Sequence, residues 1–134
     1  MISNTFEGGC ACGAIRYQAA SKPSGSMICH CLSCRRSAAS PVVAWVTFPK
    51  DALRFTRGQP SVFHSSAPVR RTFCPSCGTP LTYEHTARAL EIDVTTCSLD
   101  DPEAFRPTYH AWLRDSLSWM RFGDDLERFQ ESKS

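Results

Sequence analysis

"FCPSCGT", residues 73–79, is a C-x-x-C turn in which Pro75 sets the bend and Gly78, just past the second cysteine, is free to take positive φ. Two thiols at this spacing form either a metal knuckle or a redox pair. Redox pairs of the thioredoxin kind open a helix. The next residues here are "TPLTYE" (79–84), which favour a strand. A knuckle that exits into a strand makes metal the first reading of these thiols and a β-rich fold the first reading of the chain.

The flanking sequence agrees. "AIRYQ" (14–18), "VVAWVTF" (42–48), "LRF" (53–55), "SVFH" (61–64), "LTYE" (81–84) and "LEIDVTT" (90–96) are rich in β-branched and aromatic residues. In "LEIDV" the alternation puts Leu90, Ile92 and Val94 on one face and Glu91 and Asp93 on the other. Turn-forming stretches, "SKPSGS", "PKD", "RGQP" and "SSAP", separate these runs. Helix signals are short: "DDPEAF" (100–105), with an Asp cap before Pro102, and "DDLERF" (124–129). No segment keeps a 3.6-residue period over three turns, so the expectation is a mainly β chain with few short helices.

Composition narrows the function classes. The 134 residues, 42% hydrophobic and 21% charged, read as one globular domain over 1–134 with no linker. No apolar run approaches the roughly 20 residues that cross a bilayer. The start, "MISNTFEGG", lacks the basic and apolar regions of a secretory signal, so the expected location is cytoplasmic. A net charge of +2, without any run of five like charges, argues against a membrane surface or a nucleic-acid arm. Twelve of the fifteen basic residues are Arg, a side chain suited to bidentate carboxylate recognition.

Eight cysteines in a reducing compartment point to a thiophilic metal rather than to disulfides. Seven fall into three motifs: Cys10-x-Cys12, Cys29-x-Cys31-x-x-Cys34 and Cys74-x-x-Cys77. Zinc at ~2.3 Å from four sulfurs holds them roughly 3.8 Å apart. Positions i and i+2 of a straight strand are about 6.7 Å apart, so the C-x-C pair needs a bend, which the neighbouring glycines permit. Spacing leaves two partitions open. One closes Cys10, Cys12, Cys74 and Cys77 around a metal and leaves Cys29, Cys31 and Cys34 as a three-thiolate site with a free position. The other pairs Cys31 and Cys34 with Cys74 and Cys77, leaving Cys10, Cys12, Cys29 and His30. Chemistry favours the first, because structural zinc is closed and catalytic zinc keeps a position for water or substrate. Zinc with three thiolates carries a formal charge of −1. Arg35 and Arg36 come directly after the last of them, placed to offset it or to hold a carboxylate nearby, although either can equally be an ordinary surface Arg. His30 alternates with its cysteine neighbours and is expected to point away from them as a packed residue. Cys97, without a partner at ligand spacing, is expected to be a small buried hydrophobe at a strand end.

"GGCACGAIRY", "CHCLSCRR", "RRTFCPSCGTPLTYE" and "EIDVTTCSLDDPEAFRPTYHAW", with Trp119 and "DDLERF" behind them, resemble the glutathione-dependent formaldehyde-activating enzyme family, which also contains centromere protein V. The resemblance runs from about Gly9 to Phe129. It implies a β-tent fold of small antiparallel sheets organised around two zinc ions. Cys10, Cys12, Cys74 and Cys77 would hold the structural ion, and Cys29, Cys31 and Cys34 the catalytic one. It also implies a carbon–sulfur lyase run toward synthesis, in which a thiol, glutathione, adds to a small aldehyde, formaldehyde, giving an S-hydroxymethyl adduct. Arg35, Arg36 and Arg71 are the candidates for the co-substrate's carboxylates. The chain departs from the family pattern at Ala39, commonly Gly, at Ala111, commonly a larger aliphatic residue, and at Glu127, often Pro. None is a motif cysteine. The alternative function is a non-enzymatic zinc module that binds protein or nucleic acid.

Overall fold

Residues Val43–Pro49 form a strand, β4, whose alternate side chains enter two different apolar environments. Val46 and Phe48, fully buried, meet Ile92 and Val94 in the main core. Val43 and Trp45 point the other way, into a smaller cluster with Cys29 and Cys34. A strand buried on both faces reads as a continuous apolar run, and "VVAWVTF" is one.

A computed structural model describes residues 4–133. Around β4 the order is β1 (Phe6–Gly9), β2 (Arg16–Ala19), β3 (Gly25–Cys29), α1 (Leu32–Ala38), β4, β5 (Leu53–Arg57), β6 (Ser61–Ser66), β7 (Val69–Phe73), β8 (Pro80–His85), β9 (Glu91–Thr95), β10 (Tyr109–Ala111) and β11 (Glu127–Arg128), joined by short 3-10 turns. β1, β2 and β5 make a three-stranded antiparallel sheet. The rest make an eight-stranded sheet in the order β11-β10-β3-β4-β9-β8-β7-β6. It is antiparallel except at β10, which runs parallel to both β3 and β11. Between the sheets Tyr17, Ile15, Phe48, Leu81, Val94 and Phe105 pack with Cys10 and Cys74.

The mainly β expectation holds, and each of the six predicted strand regions carries a strand. Four details differ. "DDLERF" supplies β11 instead of a helix, because the chain after Trp112 returns as an extended segment alongside β10. "DDPEAF" forms only a 3-10 turn at Pro102–Ala104. Leu90 lies outside β9 and is 85% exposed, whereas Asp93, on the polar face of the alternation, is buried. Cys97 sits in the 3-10 turn just past β9 and is exposed rather than a buried hydrophobe. The helix α1 escapes periodicity because seven residues make only two turns.

Candidate functional site

Two chain segments far apart in sequence bring four thiols together at one edge of the main core. The β1–β2 connection bends through Gly13 at φ 80°, and the knuckle after β7 bends through Gly78 at φ 81°. Both use the left-handed region that glycine enters without steric cost. The Sγ atoms of Cys10, Cys12, Cys74 and Cys77 all lie within 4.8 Å of one another. Cys10 and Cys12 are 3.6 Å apart, and Cys12 and Cys74 3.8 Å. Backbone N–H groups aim at these sulfurs: Ile15 N donates to Cys10 at 3.2 Å, and Ser76 N and Cys77 N to Cys74 at 3.3 and 3.4 Å. Such bonds orient the sulfurs inward, toward one another.

Cys29, Cys31 and Cys34 form the second cluster, with their three Sγ atoms also within 4.8 Å. Cys29 ends β3, Cys31 is the N-cap of α1, and Cys34 lies one turn into that helix. The Cys31 side chain accepts from Cys34 N at 3.3 Å, so a thiol takes the place usually held by Ser or Asp. Hydrogen bonds from Cys29, and next from Cys34, pull the Cys31 thiol down, while bonding to Cys31 pushes Cys29 up. Thiols this close favour different protonation states, and a cation between them would let all three sulfurs ionise together. An all-sulfur donor set at near-tetrahedral spacing fits zinc or another thiophilic ion in both clusters.

The trio opens onto a cavity of about 550 Å³ whose floor is one face of the eight-stranded sheet. Register explains its lining. Tyr109 pairs with Met27, Met27 with Trp45, Gly25 with Thr47, Thr47 with Asp93, and Asp93 with Tyr83. All of these line the cavity. Cys29 and Gly25 bound β3, so the floor extends ~13 Å from the sulfurs to Thr47 and Asp93. There Arg88 binds Asp93 at 3.0 and 3.1 Å and Glu91 at 2.6 and 3.0 Å, and Thr47 donates to Asp93 at 2.5 Å. The bond to Asp93 raises the Arg88 pKa above its ordinary value. Beside the sulfurs stands Trp112 at φ 61°, an unusual conformation for a bulky residue, held by Trp112 N donating to Glu131 O at 2.8 Å.

The predicted arginines go to three different places. Arg36 is exposed on α1. Arg35 donates to the backbone oxygens of His30 at 3.3 Å and Asp115 at 3.0 Å. Arg71, only 6% exposed, donates from Nε to Ser65 Oγ at 3.2 Å and from Nη2 to Ser33 Oγ at 3.3 Å. Nη2 also lies 3.8 Å from Cys34 Sγ, and the guanidinium covers the Tyr83 ring at 4.8 Å. His30 is buried away from the trio's sulfurs, with Nε2 3.0 Å from His110 Nδ1. His110 Nε2 is in turn 3.1 Å from Asp124. Burial lowers the His30 pKa. Sequence reasoning missed His110, Asp124, Asp93 and Arg88. Only the polar positions of "EIDV" and the histidine of "YHAW" hinted at them.

A mainly β chain with a four-thiol cluster at its edge and a three-thiol cluster opening on a cavity defines the class. Residues 5–115 match the model of the glutathione-dependent formaldehyde-activating enzyme family. The chain belongs to that family. An uncharacterized lyase of Schizosaccharomyces pombe is 32% identical over 81 residues, 60% of this chain. The matched part spans 58% of that relative's length. A Rhodobacter sphaeroides protein, solved as a structural-genomics target, shares the fold with a TM-score of 0.60 at 22% identity, over 70% of this chain and 87% of its own. Among the described residues no helix is long and apolar enough to cross a membrane.

Proposed function

We propose that the protein is a zinc-dependent lyase of the carbon–sulfur type, joining a thiol to a small aldehyde, with glutathione and formaldehyde as the first pair to try. The observation that carries this reading is the trio of Cys29, Cys31 and Cys34 lining a cavity large enough for a small-molecule thiol. Family membership and a relative named a lyase support it. Cys10, Cys12, Cys74 and Cys77 would hold a structural zinc and the trio a second one. Zinc at such a site lowers the pKa of a bound thiol and polarises an aldehyde oxygen.

The chain's own residues supply the rest. Met27, Trp45, Tyr83 and Trp112 wall the cavity beside the sulfurs with apolar and aromatic surface. Ser33 Oγ, 3.4 Å from Cys31 Sγ and fixed by Arg71, places a hydroxyl where a proton can pass. In the reaction one S–C bond forms, the C=O π bond becomes C–O–H, and the thiol proton ends on that oxygen. Thiol addition to formaldehyde is easy chemistry, so the protein's contribution is chiefly to hold the two reactants together.

Adduct formation, followed without protein, with the wild type and with Cys31→Ser, tests the reading. The wild type should exceed both controls. Equal rates in all three would refute a catalytic role.

A further inference from the structure

We propose that Arg71 is the built-in counter-charge of the three-cysteine cluster, a positioning residue that sets how tightly the trio holds its metal. The inference rests on the reading of the trio as a metal site. It departs from the sequence-based expectation that Arg71 binds the co-substrate's carboxylates.

Among the described residues Arg71 has no acidic partner. Its guanidinium is nonetheless buried. Several other cations of the fold do have acidic partners. Arg88 is paired with Asp93 and Glu91, Arg70 and Lys50 share Glu84, and Arg16 binds Asp100. A buried cation without an anion is costly, so the charge of Arg71 must be met by something else. The group within reach that a bound metal would make anionic is sulfur, Cys34 Sγ at 3.8 Å from Nη2. Three thiolates around a dication carry one excess negative charge, and one guanidinium cancels it.

The remaining contacts fix the group in that position. Ser65 Oγ takes the Nε–H, Ser33 Oγ takes an Nη2–H, and Tyr83 lies under the guanidinium plane. A planar fork held on three sides keeps its orientation where a lysine would not. β7 therefore carries the counter-charge of one cluster at Arg71 and, three residues on, leads into a thiol of the other at Cys74.

The test is a zinc titration against a chromophoric chelator, with the four-cysteine site as the internal control. The wild type should take up two zinc ions. Arg71→Gln should leave one unchanged and weaken the other by about 10- to 100-fold, the usual effect of removing a group that supports metal ligands. Arg71→Lys should weaken it only a few-fold. Glutathione and 2-mercaptoethanol, compared as co-substrates of the Arg71→Gln protein at saturating zinc, should keep their wild-type ratio of KM. A second zinc held by Arg71→Gln as tightly as by the wild type overturns the proposal, and so does loss of that KM ratio alone. A wild type that takes up only one zinc removes instead the metal reading on which the proposal rests. Should Arg71→Gln fail to fold, Ser65→Ala, at an exposed position, carries the test: it should weaken the second zinc several-fold, and no change overturns the proposal.

Discussion

The four-cysteine and three-cysteine clusters use the same atom type at similar spacings, but a metal bound at each would cross-link the chain on different scales. Cys12 and Cys74, whose sulfurs touch, are 62 residues apart, whereas Cys29 and Cys34 are five apart. On a chain-entropy scale, a link across the long loop removes about 4 kcal/mol of freedom from the unfolded chain, and one across the short loop about 2 kcal/mol. Exposure differs in a second way. Cys12 and Cys77 face solvent at an edge, while Cys29 and Cys34 are buried and open onto a cavity. A metal in the long-range cluster would tie distant parts of the fold together, whereas the local cluster spans only the end of β3 and the first turn of α1. A site held by its surroundings can leave a coordination position free for a ligand.

The strongest way to break this contrast is Cys74→Ala. Cys74 is fully buried in the main core and accepts from Ser76 N and Cys77 N. Its removal should cost about 4 kcal/mol or more, measured as the shift of the urea midpoint in zinc-loaded protein. Cys31→Ser, in the local cluster, should lose no more than half as much. If the two variants unfold at the same urea concentration, the division between a fold-holding cluster and a fold-held one is wrong.

A second test removes what holds the local cluster. His110 is fully buried, bridges His30 to Asp124 and meets the Phe122 ring edge-on at 4.8 Å. His110→Ala leaves His30 without its partner and opens a cavity, at a cost of about 3 kcal/mol. The effect should depend on pH. Burial places the His30 pKa below its ordinary 6.5, so the unfolded chain binds more protons below that pH and wild-type stability falls there. Hydrating His30 should flatten that slope in the variant. Urea curves recorded above and below pH 6.5 give both numbers. A slope as steep as in the wild type would mean that His30 stays dry without His110.

How much of this was legible in the sequence depends on the range of the forces involved. Strands with a buried face on either side, such as β4, announced themselves through "VVAWVTF". The seven thiols lie in groups of four and three, a grouping that spacing alone leaves open, because it takes the fold to bring Cys12 to Cys74 across 62 residues. β3 and β7 were not legible, since "GSMIC" and "VRRTF" lack a clean alternation of apolar and polar residues. Their strand character comes from neighbours on both sides. The salt bridge of Arg88 with Asp93 and the His30–His110–Asp124 chain were hidden for a similar reason. Polar residues look solvated in a sequence until tertiary structure buries them with partners. Arg35 shows the converse: its place directly after the cysteines suggested a counter-charge or a carboxylate partner, and helical geometry gives its guanidinium the backbone oxygens of His30 and Asp115.

The smallest expected effect sharpens the contrast instead of breaking it. Ala39 closes α1 at φ 51°, ψ 45°, with its N–H directed at the carbonyls of Arg35 and Arg36. This is the left-handed cap that glycine usually occupies, and it is the position where the sequence departs from the family's common Gly. An L-residue there costs about 1–2 kcal/mol, and glycine costs about 0.5–1 kcal/mol in unfolded-state entropy. Ala39→Gly should therefore stabilise the protein by about 0.5–1 kcal/mol, read as a higher urea midpoint with an unchanged slope. The side chain is exposed, so no packing is lost. Because α1 presents Cys34 and is capped by Cys31, the gain should also slow alkylation of the local thiols in metal-free protein. Cys12 and Cys77, held by a different part of the chain, should react at the wild-type rate. An unchanged midpoint would show that the cap strain is already relieved by the Arg35 and Arg36 carbonyls, and that the local cluster is as firmly held as this helix allows.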